Sequence, residues 1–321
     1  MRKGLKALGL LAALLMVTHG VFANGSKEAD IANWPEKEIT VICPWAVGGV
    51  ADLVNRKMAT YGQEFLGVPV LATNELGAGG NVALTNYLKN QPNSYNLIFG
   101  GEGGFSIAPN IDGSDAIQFR YDDFEPIINL YSAIFVMTAD SSLNLKSIDD
   151  LKNYGQEKKL KVAVNGIAGA EAFLAKAMSK TLGIQFDLVS YNGANLALDA
   201  ASKGETQLAI SHQSQARGAV EAEKLTPVCS FNKDGIHNEV YDVKGVGEYG
   251  LPYYPNTCCL FARKGTDPQI IAKVRDAYLK ILDEKEVKEL FAQLMITADP
   301  MDKKAYDKHI ANVKDIVLAN R

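Results

Sequence analysis

No stretch of this 321-residue chain supplies the roughly 20 consecutive apolar residues a helix needs to cross a bilayer. Cysteine is scarce, with Cys43, Cys229, Cys258 and Cys259 the only four. None falls in a Cys-x-x-Cys, which excludes a dithiol redox pair or a zinc knuckle of that type. Cys258 and Cys259 are neighbours, and a vicinal disulfide demands unusual geometry, so buried free thiols are expected. Histidine is equally rare, and no His-Glu-x-x-His marks a metal-assisted hydrolase. Positive charge is not in excess either: 33 Lys and Arg stand against 37 Asp and Glu, a formal −4. That balance argues against nucleic acid or an anionic membrane surface as a partner.

What is present begins with an export signal. Arg2, Lys3 and Lys6 form a positive n-region, Leu8 to Val17 an apolar h-region, and Val21-Phe22-Ala23 the small-residue cleavage pattern. Cleavage is expected near Ala23, giving a periplasmic mature protein. No cysteine follows the h-region to carry a lipid. Loss of those three basic residues moves the net charge from −4 to −7. Any anionic ligand is then held by local dipoles and not by the overall field.

Two glycine-rich turns stand where strands give way to helices. Pro44-Trp45-Ala46-Val47-Gly48-Gly49-Val50-Ala51-Asp52 follows the apolar run 39–43, and Asn74-Glu75-Leu76-Gly77-Ala78-Gly79-Gly80-Asn81 follows 68–72. Such turns expose backbone N–H groups at a helix N-terminus, a cradle for an anion. Val50, Val54, Met58, Tyr61 and Phe65 recur at helical spacing after the first turn. Strands near 68–71 and 95–99 and a short helix over 82–88 complete a parallel βαβ pattern. The rhythm restarts with a strand over 133–138, Ser147 as an N-cap, strands at 160–164, 187–191, 207–211 and 225–231, and a helix over 170–182. Asp267-Pro268 starts a closing helical region expected to pack on the first domain. A mature length of about 300 residues fits two domains.

Two enzymatic readings are weaker. Gly77-Ala78-Gly79 begins a dinucleotide fingerprint, but Val82 stands where its last glycine belongs. Gly104-Phe105-Ser106-Ile107-Ala108 resembles a nucleophile elbow, and a secreted serine hydrolase would pair Ser106 with His212.

The 44–52 segment is similar to the Pro-aromatic-x-x-Gly-Gly-x-x-Asp signature of the periplasmic receptors of tripartite tricarboxylate transporters, the Bug family. The 74–81 segment resembles that family's Asn-x-x-Gly-Ala-Gly-Gly-Asn. Tyr95 to Gly100, Pro109, Tyr191-Asn192-Gly193-Ala194 and Gly265-Thr266-Asp267-Pro268 add matches in the same order. The resemblance implies a type II periplasmic binding protein, an α/β fold of two lobes with mixed, mainly parallel sheets joined by a two-strand hinge. Carried onto this chain, residues 34–133 plus 260–321 form lobe 1 and 134–259 lobe 2. It implies capture of a small carboxylated metabolite for membrane permease subunits, with no catalysis and no cofactor, by a chain expected to be monomeric. A receptor that signals to a membrane sensor is the alternative within the same fold.

The ligand residues it implies are Trp45, Ala46, Val47, Gly48, Gly49 and Asp52 on lobe 1, and Asn165, Gly166, Ala168, Gly169 and Ala170 on lobe 2. Gly101 and Glu102 replace small hydroxyl residues of the family pattern, and Ser211 with His212 replaces an aspartate. Glu171 stands in a loop that has lost a serine and a histidine, and Cys258 stands where an aromatic is frequent. Either Glu102 or Glu171 faces the cleft and meets a ligand amine, or both are solvated acids. Trp45 is either a shelf for a cyclic ligand or an apolar lid.

Overall fold

The computed structural model describes residues 33–89, 94–111 and 117–321; the expected leader 1–23 lies outside the described residues. The chain opens on β1 (Ile39–Cys43), whose Ile39, Val41 and Cys43 point inward and are fully buried. It pairs in parallel with β2 (Val70–Asn74) and β3 (Asn96–Gly100). Between them run α1 (Val50–Thr60), the short α2 (Gly62–Leu66) and α3 (Asn81–Lys89). Val50, Val54 and Met58 form the buried stripe of α1, as their spacing predicts.

The long β4 (Phe124–Ala133) and β12 (Asn256–Arg263) extend this sheet antiparallel, with the two-residue β13 (Thr297–Ala298) at its edge. The order is β13-β4-β12-β3-β1-β2. Beyond β4 the chain passes through Ile134 into β5 (Phe135–Asp140), which belongs to a second sheet. One strand was expected over 133–138; two meet there instead, because the chain changes sheets. The second sheet is ordered β7-β6-β8-β5-β9, from β6 (Leu160–Asn165), β7 (Phe186–Tyr191), β8 (Leu208–His212) and β9 (Leu225–Ser230). Its covering helices are α4 (Ile148–Gly155), α5 (Ala170–Leu182), α6 (Ala194–Ser202) and α7 (Gln213–Glu221). A small hairpin of β10 (Ile236–His237) and β11 (Asp242–Val243) precedes the return along β12. The fold is thus α/β with two mixed sheets, joined by β4–β5 outward and β12 inward.

Three helices close the chain. Both α8 (Pro268–Asp283) and α9 (Lys285–Gln293) bury Val274, Ile281, Val287 and Phe291 against the first sheet. The last helix, α10 (Lys303–Asn320), expected to pack on the first lobe, touches both. Tyr306 and Ile310 join the Phe105–Phe261 aromatic cluster beside the first sheet, whereas Val313 and Val317 are buried with Phe173 and Leu174 of α5. These four lie on one stripe at spacings of three and four, and an 18-residue helix is about 27 Å long. It therefore reaches from one lobe to the other. Among the described residues no helix is long and apolar enough to cross a membrane. All four cysteines are buried and unbridged.

Candidate functional site

A cavity of about 90 Å³ lies where the sheets face each other. On that measure it has room for roughly six to nine water-sized groups, the scale of a small organic acid. Its wall takes Trp45, Ala46 and Gly49 from the β1–α1 turn, Gly101 and Glu102 beyond β3, Asn165, Gly169 and Ala170 around the β6–α5 turn, and His212 at the end of β8. The structure thus gathers nine of the fifteen residues implied from sequence. It leaves six outside the wall, five of them for a visible reason. Val47 points to solvent, 63% exposed, and the Gly48 N–H is spent on Asp52. Asp52 itself is buried behind the turn and paired with Arg56 at 3.0 Å. Burial opposes its charge, but bonds from Arg56, Gly48 and Asn74 prevail and hold its pKa below the ordinary carboxylate value. Gly166 faces Gly79 across the lobes, Ala168 lies off the wall, and the Ser211 hydroxyl donates to the His212 carbonyl. Cys258 is buried in β12 beside Tyr131, and its neighbours Asn256 and Thr257 line the cavity instead.

Four helices begin at this cavity. Gly49 caps α1, Gly169 caps α5, Gly193 caps α6 and His212 caps α7, and none of these caps supplies a side-chain hydrogen bond. Elsewhere Ser147, Asp267 and Asp302 cap α4, α8 and α10 with their own side-chain oxygens. No cap side chain therefore covers these starts; the Gln213 N–H of α7 is spent on the Ile134 carbonyl and the Glu171 N–H of α5 on its own carboxylate, and the other first-turn N–H groups, with the positive ends of the dipoles, are left for another acceptor. The Gly193-Ala194 pair was legible as a family match but not as a wall, since its approach to Ala46 depends on how the lobes meet. Gln215, Tyr131 and Phe135 were also missed; they come from segments with no motif.

The second glycine turn also reaches the cavity. Trp45 Nε1 donates to the Gly79 carbonyl at 3.2 Å, and Asn74 Nδ2 donates to the Trp45 carbonyl at 3.0 Å. With its N–H spent, Trp45 offers the cavity only an apolar ring.

The two surprising acids differ completely. Glu102 is fully buried and accepts from the Thr257 N–H, the Thr257 hydroxyl, Asn256 Nδ2 and His309 Nε2. Burial works against a charged His309, yet the bond to Glu102 outweighs it and raises the histidine pKa. Because Asn256 gives its amide hydrogens to Glu102, its Oδ1 faces His212 Nε2 at 2.7 Å, and that ring nitrogen carries the proton. Removal from water pushes the His212 pKa down to about 4, so it is neutral at pH 7. Its Nδ1 is left buried without a partner.

Glu171, in the first turn of α5, is 7% exposed and lines the cavity. Desolvation raises its pKa to about 7, opposed only by a bond from its own backbone N–H. Among the described residues no Lys or Arg lines the cavity. Ser106 and His212 are not brought together: the serine hydroxyl donates to the Ile310 carbonyl at 2.8 Å, and His212 is held by Asn256.

Two α/β sheets joined by crossing strands, with a cavity built from helix starts between them, define a two-lobed solute-binding protein of the periplasmic type. The family model described as tripartite tricarboxylate transporter family receptor matches residues 54–316, and the chain belongs to that family. A UPF0065 protein of Bordetella pertussis is 26% identical over 261 residues, covering 80% of this chain and 79% of the relative. MatC from Rhodopseudomonas palustris, solved with bound malate, has a TM-score of 0.79 at 24% identity, over 88% of this chain and all of its own. Another R. palustris protein, solved with adipate, has a TM-score of 0.80 at 18% identity, over 88% of this chain and 95% of its own.

Proposed function

We propose that this chain is an extracytoplasmic receptor that captures a small carboxylated metabolite between its lobes and presents it to the membrane subunits of a tripartite transporter. The ligand class is a di- or tricarboxylate, an acidic amino acid or an aromatic acid. The observation that carries the reading is the convergence of four helix N-termini without side-chain caps on one cavity. A carboxylate there gains charge-assisted hydrogen bonds of roughly 1.5–3 kcal/mol each. The acidic chain needs no basic side chain for this, since the fixed dipoles supply the positive potential locally. The malate and adipate bound to two relatives of the same fold support the class. Export by the leader 1–23, and hinge crossings near 134 and 259 that let the lobes open and close, belong to the same proposal.

A thermal-shift screen of the mature protein against di- and tricarboxylates, amino acids and aromatic acids tests it. A true ligand at a hundredfold excess over its Kd adds about 2.7 kcal/mol to stability. A screen in which no carboxylate moves the transition would sink the reading.

Closure itself has a separate test. A Cβ on Gly166 would lie 2.8 Å from the Gly79 N and 3.0 Å from its Cα. Both contacts are backbone on the opposite lobe, and Gly166 has φ +83, so neither side can yield cheaply. Gly166→Ala is expected to weaken ligand affinity about tenfold or more by calorimetry, because 1.4 kcal/mol of lost lobe contact is already tenfold. Unchanged affinity would show that the bound state does not bring these loops together.

A further inference from the structure

We infer that Glu171 is the anchor for a cationic group of the ligand, so that this receptor takes an amine-bearing carboxylic acid and discriminates against the same acid without the amine. The inference rests on the receptor reading and narrows its ligand class.

Glu171 is more than nine-tenths buried and lines the cavity. No group of another described residue donates a hydrogen bond to it, and it joins no ion pair, its one bond coming from its own backbone N–H. The other acid in the wall, Glu102, is not available, because Thr257, Asn256 and His309 already occupy its oxygens. The second observation is that His212, a further titratable group of the wall beside the two acids, offers Glu171 no donor. Its Nε2–H is committed to Asn256, and its Nδ1 lone pair is buried with no donor. The cavity thus holds two kinds of unmet demand. The helix starts need acceptors, which a carboxylate supplies; Glu171 needs a donor, which an ammonium supplies. An amine-free dicarboxylate meets the first demand only, and it brings further negative charge beside a carboxyl group that has no cation. Burial raises the Glu171 pKa to about 7, which is the mark of an acid lacking a counter-charge in the ligand-free protein.

Titration calorimetry on the mature full-length protein at about pH 8, with L-aspartate against succinate and L-glutamate against glutarate, reads the inference directly. An amine paired with a buried carboxylate is expected to tighten binding about tenfold to a hundredfold over the matched acid for at least one pair. In Glu171→Gln that ratio should collapse to about threefold or less, within the scatter of neutral hydrogen bonds. Wild-type protein that binds succinate or glutarate as tightly as the aminated partner would overturn the inference and leave the receptor reading standing. So would a Glu171→Gln protein that keeps the wild-type ratio. Silence from every carboxylate, aminated or not, would overturn the receptor reading and the inference with it.

Discussion

Replacing Glu102 by alanine is expected to destabilise the ligand-free protein by about 3–5 kcal/mol, on the order of 10 °C in Tm. The loss would leave the Thr257 N–H, Asn256 Nδ2 and His309 Nε2 without the acceptor that a fully buried side chain supplies, and the Thr257 hydroxyl with only a 3.3 Å bond to the Tyr306 hydroxyl. Buried donors left unpaired cost more than a made hydrogen bond contributes, which is why the effect exceeds that of a surface acid. Part of it depends on pH. The folded pKa of His309 is raised, so its contribution is present in full below the ordinary value of 6.5 and fades as pH rises past the folded one. The wild-type advantage over Glu102→Ala should accordingly be larger at about pH 6 than at about pH 9. Glu102→Gln is expected to be milder but informative. Its NH₂ would oppose Asn256 Nδ2 and favour a flip of that amide, which would turn Nδ2 toward His212 and move the ring proton from Nε2 to Nδ1. Nitrogen-15 NMR of the histidine rings reads that tautomer. Urea unfolding that finds Glu102→Ala within about 1 kcal/mol of wild type would show that the network is not a structural joint.

The contrast between these residues and the glycine turns explains what the sequence reveals. The N-terminal starts of α1 and α5 are legible because a strand, a glycine pair and an apolar stripe all lie within about 20 residues, and local backbone chemistry decides the outcome. Asp267 and Ser147 are legible for the same reason, and both cap as their spacing implies. Strands β4 and β12 are not. Both are buried on nearly every residue, so the alternation that marks a half-exposed strand is missing. The role of Glu102 is also hidden, since Thr257 lies 155 positions away and His309 lies 207. Helix α10 shows a middle case. Its apolar stripe is plain in the sequence, but nothing in the stripe says that the surface beneath it changes from one lobe to the other halfway along. Periodicity reports that a face is covered and is silent on what covers it. The same limit applies to Glu171. A glutamate in a first helical turn is ordinarily a solvated partner of the dipole, and nothing in the local sequence marks this one as part of a buried cavity wall.

Glu171→Gln is accordingly expected to raise the stability of the ligand-free protein, by up to roughly 3 kcal/mol above pH 7. The ordinary glutamate value is 4.5 and the folded value about 7, so the unfolded chain releases the proton first as pH rises. Wild-type stability is therefore favoured below 4.5 and is lost progressively between 4.5 and 7, after which the cost is constant. Glutamine carries no charge and escapes that cost, so the two proteins should converge at about pH 4 and separate at about pH 8. His212 works in the opposite sense. Its folded value of about 4 lies below the ordinary 6.5, so the stability of its neutral form is present above 6.5 and is lost as pH falls toward 4. In wild-type protein the two slopes oppose each other between 4.5 and 6.5 and largely cancel. The variant removes one of them, and its stability should then fall more steeply on acidification than wild type does. Urea midpoints across this range measure both features at once. A Glu171→Gln protein no more stable than wild type at about pH 8 would mean that the carboxylate already has a counter-charge, and the cavity would then have no unmet demand for a cation. A stabilising substitution at a wall position is what a binding site held ready for an absent partner should give, because the unpaired charge is a cost that only the ligand removes.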